Sequence, residues 1–113
     1  MHELSITQTL FDVVIEQAKR SEAKKVCRIN LIIGEMTGIV GESVCYYLDF
    51  LSKNTIAEGA SLNIKSIPVR ARCLNCSKTF ELGKFTWCCP DCDSAKLEIT
   101  AGNELFIDSI EVD

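Results

Sequence analysis

The chain has 113 residues, of which 47% are hydrophobic and 25% are charged, so it has room for one compact core and a small additional module. Twelve basic and sixteen acidic residues give a net charge of −4, which argues against a nucleic-acid or anionic-membrane partner. The seven cysteines are an odd number, and Met1-His2-Glu3 is acidic where a signal peptide would be basic. We therefore predict a cytoplasmic protein whose cysteines are reduced.

The first predicted element is a helix that begins just after Ser5 and ends near Ser21. The sequence Ser5-Ile6-Thr7-Gln8 matches a capping box, in which the serine hydroxyl and the glutamine side chain each satisfy a free backbone N–H. Most of the apolar residues that follow fall on one broad arc at 100° per residue. Residues 1–4 precede this cap and would form a short arm at the positive end of the helix dipole.

The next elements are a strand, a helix and a second strand. Residues 26–33 alternate between two faces, which predicts a strand. Its apolar face comprises Cys27, Ile29, Leu31 and Ile33. A turn-rich loop at 34–38 leads to a predicted helix at about 42–53, and a strand follows at about 60–69, where Pro68 marks an end or an edge position.

Two Cys-x-x-Cys pairs then face each other across a short loop. They are Cys73-Leu74-Asn75-Cys76 and Cys89-Pro90-Asp91-Cys92. Zinc prefers four tetrahedral soft ligands, and a two-residue spacer lets a tight knuckle direct both of its sulfurs to one ion. Two disulfides or four unrelated buried thiols are the alternatives. Four thiolates leave no open coordination position, so a zinc ion held here would be structural.

Three further cysteines lie outside these pairs. We predict that Cys27 and Cys45 are small buried apolar residues and not metal ligands. Cys88 adjoins Cys89 and could replace it after a register slip of one residue. The proline in the second knuckle favours Cys89 and Cys92 as the pair, which would leave Cys88 as a reactive thiol beside the site.

The closing segment completes the predicted fold. Residues 104–112 are again strand-like, and a two-stranded sheet is marginal alone, so we predict that this strand returns to the first sheet. The fold class is then α+β: a small three-stranded sheet with two helices, plus an inserted zinc-ribbon-like module of short β-strands near 79–82 and 96–100. The predicted domains are residues 1–67 with 104–113, and residues 68–103.

The remaining chemistry lies at the amino terminus. The sequence has no second histidine, no Ser-His-Asp set and no glycine-rich phosphate loop. It therefore lacks the catalytic residues that most enzyme classes require. His2 lies one residue from an α-amine whose unperturbed pKa is about 8. With a backbone nitrogen between them, the amine and the imidazole can form a planar nitrogen set that suits nickel(II) or copper(II). The alternative is a solvated histidine near a frayed terminus.

The start Met1-His2-Glu3-Leu4-Ser5 resembles the hydrogenase nickel-incorporation metallochaperones (the HypA/HybF family), whose members begin with Met-His-Glu and bind nickel there. The resemblance covers essentially the whole chain, and its further motifs are Ile33-Gly34-Glu35, Thr55-Ile56-Ala57-Glu58-Gly59-Ala60, the two Cys-x-x-Cys pairs and Ile110-Glu111-Val112. It implies that His2, the Met1 amine and nearby backbone nitrogens bind nickel, and that Glu3 holds or tunes the site. It also implies that Cys73, Cys76, Cys89 and Cys92 are the zinc ligands.

The resemblance implies a nickel metallochaperone and not an enzyme. Such a protein helps to insert transported nickel into the precursor of the nickel–iron hydrogenase large subunit, with a nickel-handling GTPase as partner and as a monomer or homodimer. Some family members offer a further histidine near the zinc module, and this chain has none. Two other interpretations are a zinc-ribbon protein–protein adaptor without a second metal, and a cysteine redox switch.

Overall fold

The computed structural model describes residues 3–82 and 87–113. Its elements are α1 (Glu3–Arg20), β1 (Val26–Gly34), a 3₁₀ turn (Glu35–Thr37), α2 (Gly41–Ser52), β2 (Ser61–Ile67), β3 (Arg70–Cys73), β4 (Thr79–Glu81), β5 (Leu97–Ala101) and β6 (Leu105–Val112). Within these residues the strands form two three-stranded sheets, in the orders β2-β1-β6 and β4-β3-β5. The α+β prediction and the return of the last strand to the first sheet are confirmed.

The first sheet carries the main core beneath both helices. Its central strand, β1, pairs in parallel with β2 and antiparallel with β6. Ile29 and Leu31 on β1 are each 1% exposed, and they pack with residues of α1 and α2 such as Val14 and Val44. Both helices lie on this one face of the sheet because the buried side chains of β1 all point there.

The start of β1 departs from the predicted alternation. Val26 is buried and Cys27 is exposed, so the prediction of a buried Cys27 is wrong. The pairing of β1 with β6 shifts its register between Val26 and Arg28. Such a bulge adds one residue to a strand and reverses which side chains face the core. The prediction of a buried Cys45 is wrong as well, since this residue is exposed. It follows Val44 by about 100° around α2, which places it outside the buried face of the helix.

The amino-terminal cap was also predicted wrongly. Helix α1 begins at Glu3, and Ser5 is an interior residue whose carbonyl accepts a hydrogen bond from the Thr9 hydroxyl at 3.1 Å. The Gln8 side chain donates forward to Asp12 at 3.0 Å and not back towards Ser5. Glu3 and Leu4 of the predicted arm therefore belong to the helix, while Met1 and His2 lie outside the described residues.

The other element bounds agree with the predictions, with one strand missed. The predicted strand at 60–69 ends at Ile67, and a separate strand, β3, begins at Arg70 as the centre of the second sheet. Pro68 lies in the short connection between them and cannot donate to a ladder, which helps to end β2. In the described part of the chain, neither helix has the length and apolar character that a membrane crossing requires.

The two sheets meet at a close backbone crossing of Gly34, Gly102 and Val69. The Gly34 N–H donates to the Glu104 carbonyl at 2.6 Å, and the Met36 N–H donates to the Gly102 carbonyl at 2.8 Å. A Cβ on Gly34 would clash with the Gly102 backbone, and one on Gly102 would lie 2.8 Å from the Val69 Cα. The chain therefore leaves the first sheet and returns to it at one point. The division into two domains stays a prediction.

Replacing Gly34 with alanine is expected to destabilise the protein, because the added methyl group meets backbone atoms that cannot rotate away. We expect a loss of about 3 kcal/mol, at the upper end of the usual cost of overpacking, measured by urea unfolding of the zinc-loaded protein. Gly59→Ala is the matched control, since Gly59 has a φ of +80° but nothing within 4 Å of the added Cβ, and should lose about 1 kcal/mol. An equal loss at both positions would contradict a tight crossing.

Candidate metal centres

The two Cys-x-x-Cys knuckles repeat the same backbone geometry. In the first, the Cys73 N–H donates to the Lys78 carbonyl, and the Cys73 carbonyl accepts from the Ser77 N–H, both at 2.8 Å. In the second, the Cys89 N–H donates to the Ser94 carbonyl, and the Cys89 carbonyl accepts from the Asp93 N–H, both at 2.9 Å. The residue four positions after each of these cysteines has a positive φ, 66° and 59°. The matching positions thus belong to Cys73 and Cys89, and not to Cys88.

The four sulfurs of these knuckles lie within 4.8 Å of one another. The Cys73 and Cys92 sulfurs are 3.5 Å apart, and those of Cys76 and Cys89 are 3.6 Å apart. Four thiolates at about 2.3 Å from a tetrahedral zinc ion would be about 3.8 Å apart, whereas a disulfide needs about 2.05 Å. The cluster therefore fits zinc and does not fit a pair of disulfides.

Backbone donors act unequally on the sulfurs. The N–H groups of Cys76 and Asn75 both donate to the Cys73 sulfur at 3.4 Å. These bonds, and that from Cys76 most of all, lower the pKa of the Cys73 thiol to about 6. At Cys76 the Lys78 N–H acts to lower the pKa. The hydrogen bond with Cys89, desolvation and the other neighbouring sulfurs together outweigh it and raise the pKa of Cys76 to about 12. The backbone donors thus favour the thiolate form of Cys73 over that of Cys76.

Zinc affinity is expected to rise with pH, because zinc displaces protons from thiols. Cys76 keeps its proton through the neutral range and releases it on binding, so it contributes to the slope throughout. Cys73 is already ionised above about pH 6 and steepens the slope only below that value. Competition with a chelator between about pH 5 and pH 8 measures this dependence. An affinity that does not change with pH would contradict binding through these thiolates.

A salt bridge between the knuckles was not foreseen from the sequence. The Lys78 Nζ lies 3.1 Å and 3.0 Å from the two carboxylate oxygens of Asp91, and this hydrogen bond raises the pKa of Lys78. The Asn75 side-chain amide also reaches across to the Cys92 sulfur at 3.6 Å. Both contacts depend on how the knuckles pack, for which the sequence carries no local signal.

At the amino-terminal side, the structure places one of the three predicted nickel-site residues. Met1 and His2 lie outside the described residues. The Glu3 carboxylate accepts the N–H of Val40 at 3.3 Å, and Val40 is the N-cap residue of α2, with no side-chain cap of its own. An acidic group there is stabilised by the free N–H groups at the start of a helix. Glu3 thus joins the first turn of α1 to the start of α2, in the part of the chain that does not contain the four cysteines.

Known proteins match the whole chain. A family model described as "Hydrogenase/urease nickel incorporation, metallochaperone, hypA" matches residues 1–112. A hydrogenase maturation factor HypA from Dehalococcoides mccartyi is 48% identical over 113 residues, which cover 100% of this chain and 95% of the relative. A hydrogenase maturation factor HypA from Caldanaerobacter subterraneus subsp. tengcongensis is 45% identical over 114 residues, and the match covers 100% of this chain and 100% of that relative.

A solved structure shares the fold. The solution structure of the Ni metallochaperone HypA from Helicobacter pylori superposes with a TM-score of 0.69 at 28% sequence identity. The match covers 99% of this chain and 97% of that one.

Proposed function

This chain belongs to the HypA family of nickel-incorporation metallochaperones, as its resemblance predicted, and from this premise we propose that its amino-terminal arm binds the nickel that it transports. The proposed ligands are the Met1 α-amine, the His2 imidazole and the backbone nitrogens near them, a planar nitrogen set that suits nickel(II). The observation that carries the proposal is the family match over residues 1–112, and the bond between Glu3 and Val40 places the residue following these ligands beside the start of α2. Glu3 would hold the arm in place or tune its charge.

The four cysteines Cys73, Cys76, Cys89 and Cys92 are proposed to hold a structural zinc ion. The sulfur spacing supports this assignment, and a filled tetrathiolate site has no position for a reacting water. The zinc would cross-link the two knuckles, whose sheet contains strands of only three to five residues. We propose accordingly that residues 68–103 are a zinc-dependent unit inserted into residues 1–67 with 104–113.

The proposed recipient is the precursor of the nickel–iron hydrogenase large subunit, reached in the cytoplasm with a nickel-handling GTPase as partner. The family supports a role in maturation and nickel incorporation. In this role the protein carries a metal and does not catalyse a reaction. The match over residues 1–112 gives no support to an adaptor without a second metal or to a redox switch.

A nickel titration by calorimetry tests the proposal. Zinc-loaded protein with its native amino terminus should bind nickel tightly, and the same protein with extra residues ahead of Met1 should not. The extension converts the amine into an amide and removes one proposed ligand, while it leaves the His2 side chain in the sequence.

A further inference from the structure

One edge of the first sheet is open beside a groove beneath α2. β2 lies at the end of the strand order and pairs only with β1 among the described residues, so half of its backbone N–H and C=O groups point outwards. Next to this edge is a groove of about 450 Å³, with α2 on one side and the segment that enters β2 on the other. Its floor includes Ala57, Ala60 and Leu62.

The groove follows from the way α2 crosses the sheet. Gly41, the first residue of α2, packs against Ile64 so closely that a Cβ there would lie 2.9 Å from the Ile64 Cδ1. Leu48, two turns later, packs in the cluster that contains Ala57. The helix therefore runs antiparallel to β2, and the small side chains of Ala57 and Ala60 leave space along its outer side.

The helix wall of this groove is acidic. Glu42 and Asp49 line it, both are exposed, and no ion pair within the described residues includes either one. Seven residues separate them, which is about 10.5 Å along a helix. Tyr46, 72% exposed, lies between them. The groove thus has an apolar floor and two negative charges spaced along the direction of the strand.

We propose that this edge and groove bind an extended segment of another protein, which pairs with β2 as an added strand and presents a basic–x–apolar–x–basic pattern. Backbone pairing at the edge would supply much of the affinity, as in other cases of strand addition. Residues i, i+2 and i+4 of the added strand face the groove and span about 13 Å. Flexible lysine or arginine side chains at both ends can therefore reach Glu42 and Asp49, with an apolar side chain over Leu62. The inference does not depend on the nickel site.

A second groove provides the comparison. Asp12 and Glu16 line a groove of about 640 Å³ along α1, but Glu16 is already paired with Arg20 at 2.8 Å, and no strand edge is included in its lining. This second groove has two acidic residues, but one of them is in an ion pair and no open strand edge lies beside them. It therefore serves as a matched control.

The probe is a terminally blocked peptide, Lys-Thr-Val-Thr-Lys, added to the zinc-loaded full chain. Cys45 lies in the groove and Cys27 lies outside it, and both thiols are exposed. Saturating peptide should slow the alkylation of Cys45 by iodoacetamide about tenfold and leave that of Cys27 unchanged, as measured by mass spectrometry of peptide digests. An equal rate at Cys45 with and without the peptide would overturn the proposal.

Two N-methylated peptides test for strand pairing. One carries N-methyl groups on the lysines and the valine, the other on the threonines, and only one of these sets can face β2. Exactly one derivative should protect Cys45. Protection by both would show binding without backbone pairing and overturn the proposal. Protection that rises with protein concentration when no peptide is present would show a second copy of this chain at the edge, which would also overturn it.

Charge reversal tests the recognition of the basic residues. The double variant Glu42→Lys with Asp49→Lys should bind the peptide at least about tenfold more weakly, while Asp12→Lys with Glu16→Lys should change the affinity less than about twofold. The two variants change the net charge equally. Equal losses would show attraction by the overall charge alone and contradict a specific site.

Discussion

Replacing His2 with alanine is expected to abolish tight nickel binding and to leave the zinc content unchanged. The change removes the imidazole from the proposed planar set, and the remaining amine and backbone nitrogens lack a strong fourth donor. The affinity should fall by more than the roughly 10–100-fold typical of losing a residue that only supports a metal ligand. Calorimetric titration with nickel measures the loss. Zinc should remain because the four cysteines lie within residues 70–101, the segment that forms the second sheet.

Two further measurements define the nickel site. Affinity should fall as the pH drops below about 8 and then below about 6.5, where the amine and the imidazole take up protons that compete with the metal. Glu3→Gln should weaken binding less than His2→Ala, since the amide oxygen can still accept the Val40 N–H although its charge is lost. If a protein extended ahead of Met1 bound nickel as tightly as the native chain, the amine would be excluded as a ligand.

The second large effect concerns zinc. Cys76→Ser is expected to remove the stoichiometric zinc from the purified protein and to unfold the second sheet. Metal binding supplies on the order of 10 kcal/mol in sites of this type, and β3, β4 and β5 are too short to replace it. Elemental analysis measures the zinc. Amide hydrogen exchange should show protection lost in β3 and retained in β6, because β6 pairs with β1.

Neighbouring cysteines supply the controls for zinc. Cys88→Ser should retain zinc and Cys89→Ser should lose it, because Cys89 occupies the position equivalent to Cys73. The reverse result would move the site by one residue. Stoichiometric zinc in a protein with both Cys73 and Cys76 replaced would contradict the whole assignment.

Each cysteine knuckle could be predicted from the sequence because its geometry is local. A two-residue spacer fixes each knuckle through bonds that reach no further than five residues along the chain, so the spacing carries the information. The bulge between Val26 and Arg28 could not be predicted in the same way. It depends on how β1 pairs with β6, about eighty residues away, and for this reason the alternation alone places Val26 and Cys27 on the wrong faces.

The start of α1 illustrates a related limit. The capping box at Ser5 is a sound local pattern, yet the helix extends to Glu3. Glu3 gains a partner there in Val40, which belongs to a different helix and is remote in sequence. Tertiary contacts of this kind override local preferences, and the salt bridge of Lys78 with Asp91 escaped prediction for the same reason.

The crossing of Gly102 over Val69 has a consequence for the newly made chain. β1 leaves the ribosome well before β6, so one side of the central strand stays unpaired, and prone to aggregation, while residues 35–104 are synthesised. Once the cysteine-bearing segment folds, its two ends come together at the crossing, which shortens the loop between β1 and β6. Halving the length of such a loop lowers the entropic cost of closing it by only about 0.6 kcal/mol. A shorter loop also lets β6 reach β1 faster. Loss of zinc should therefore slow the pairing of β6 with β1 and leave that edge of β1 exposed for longer during folding.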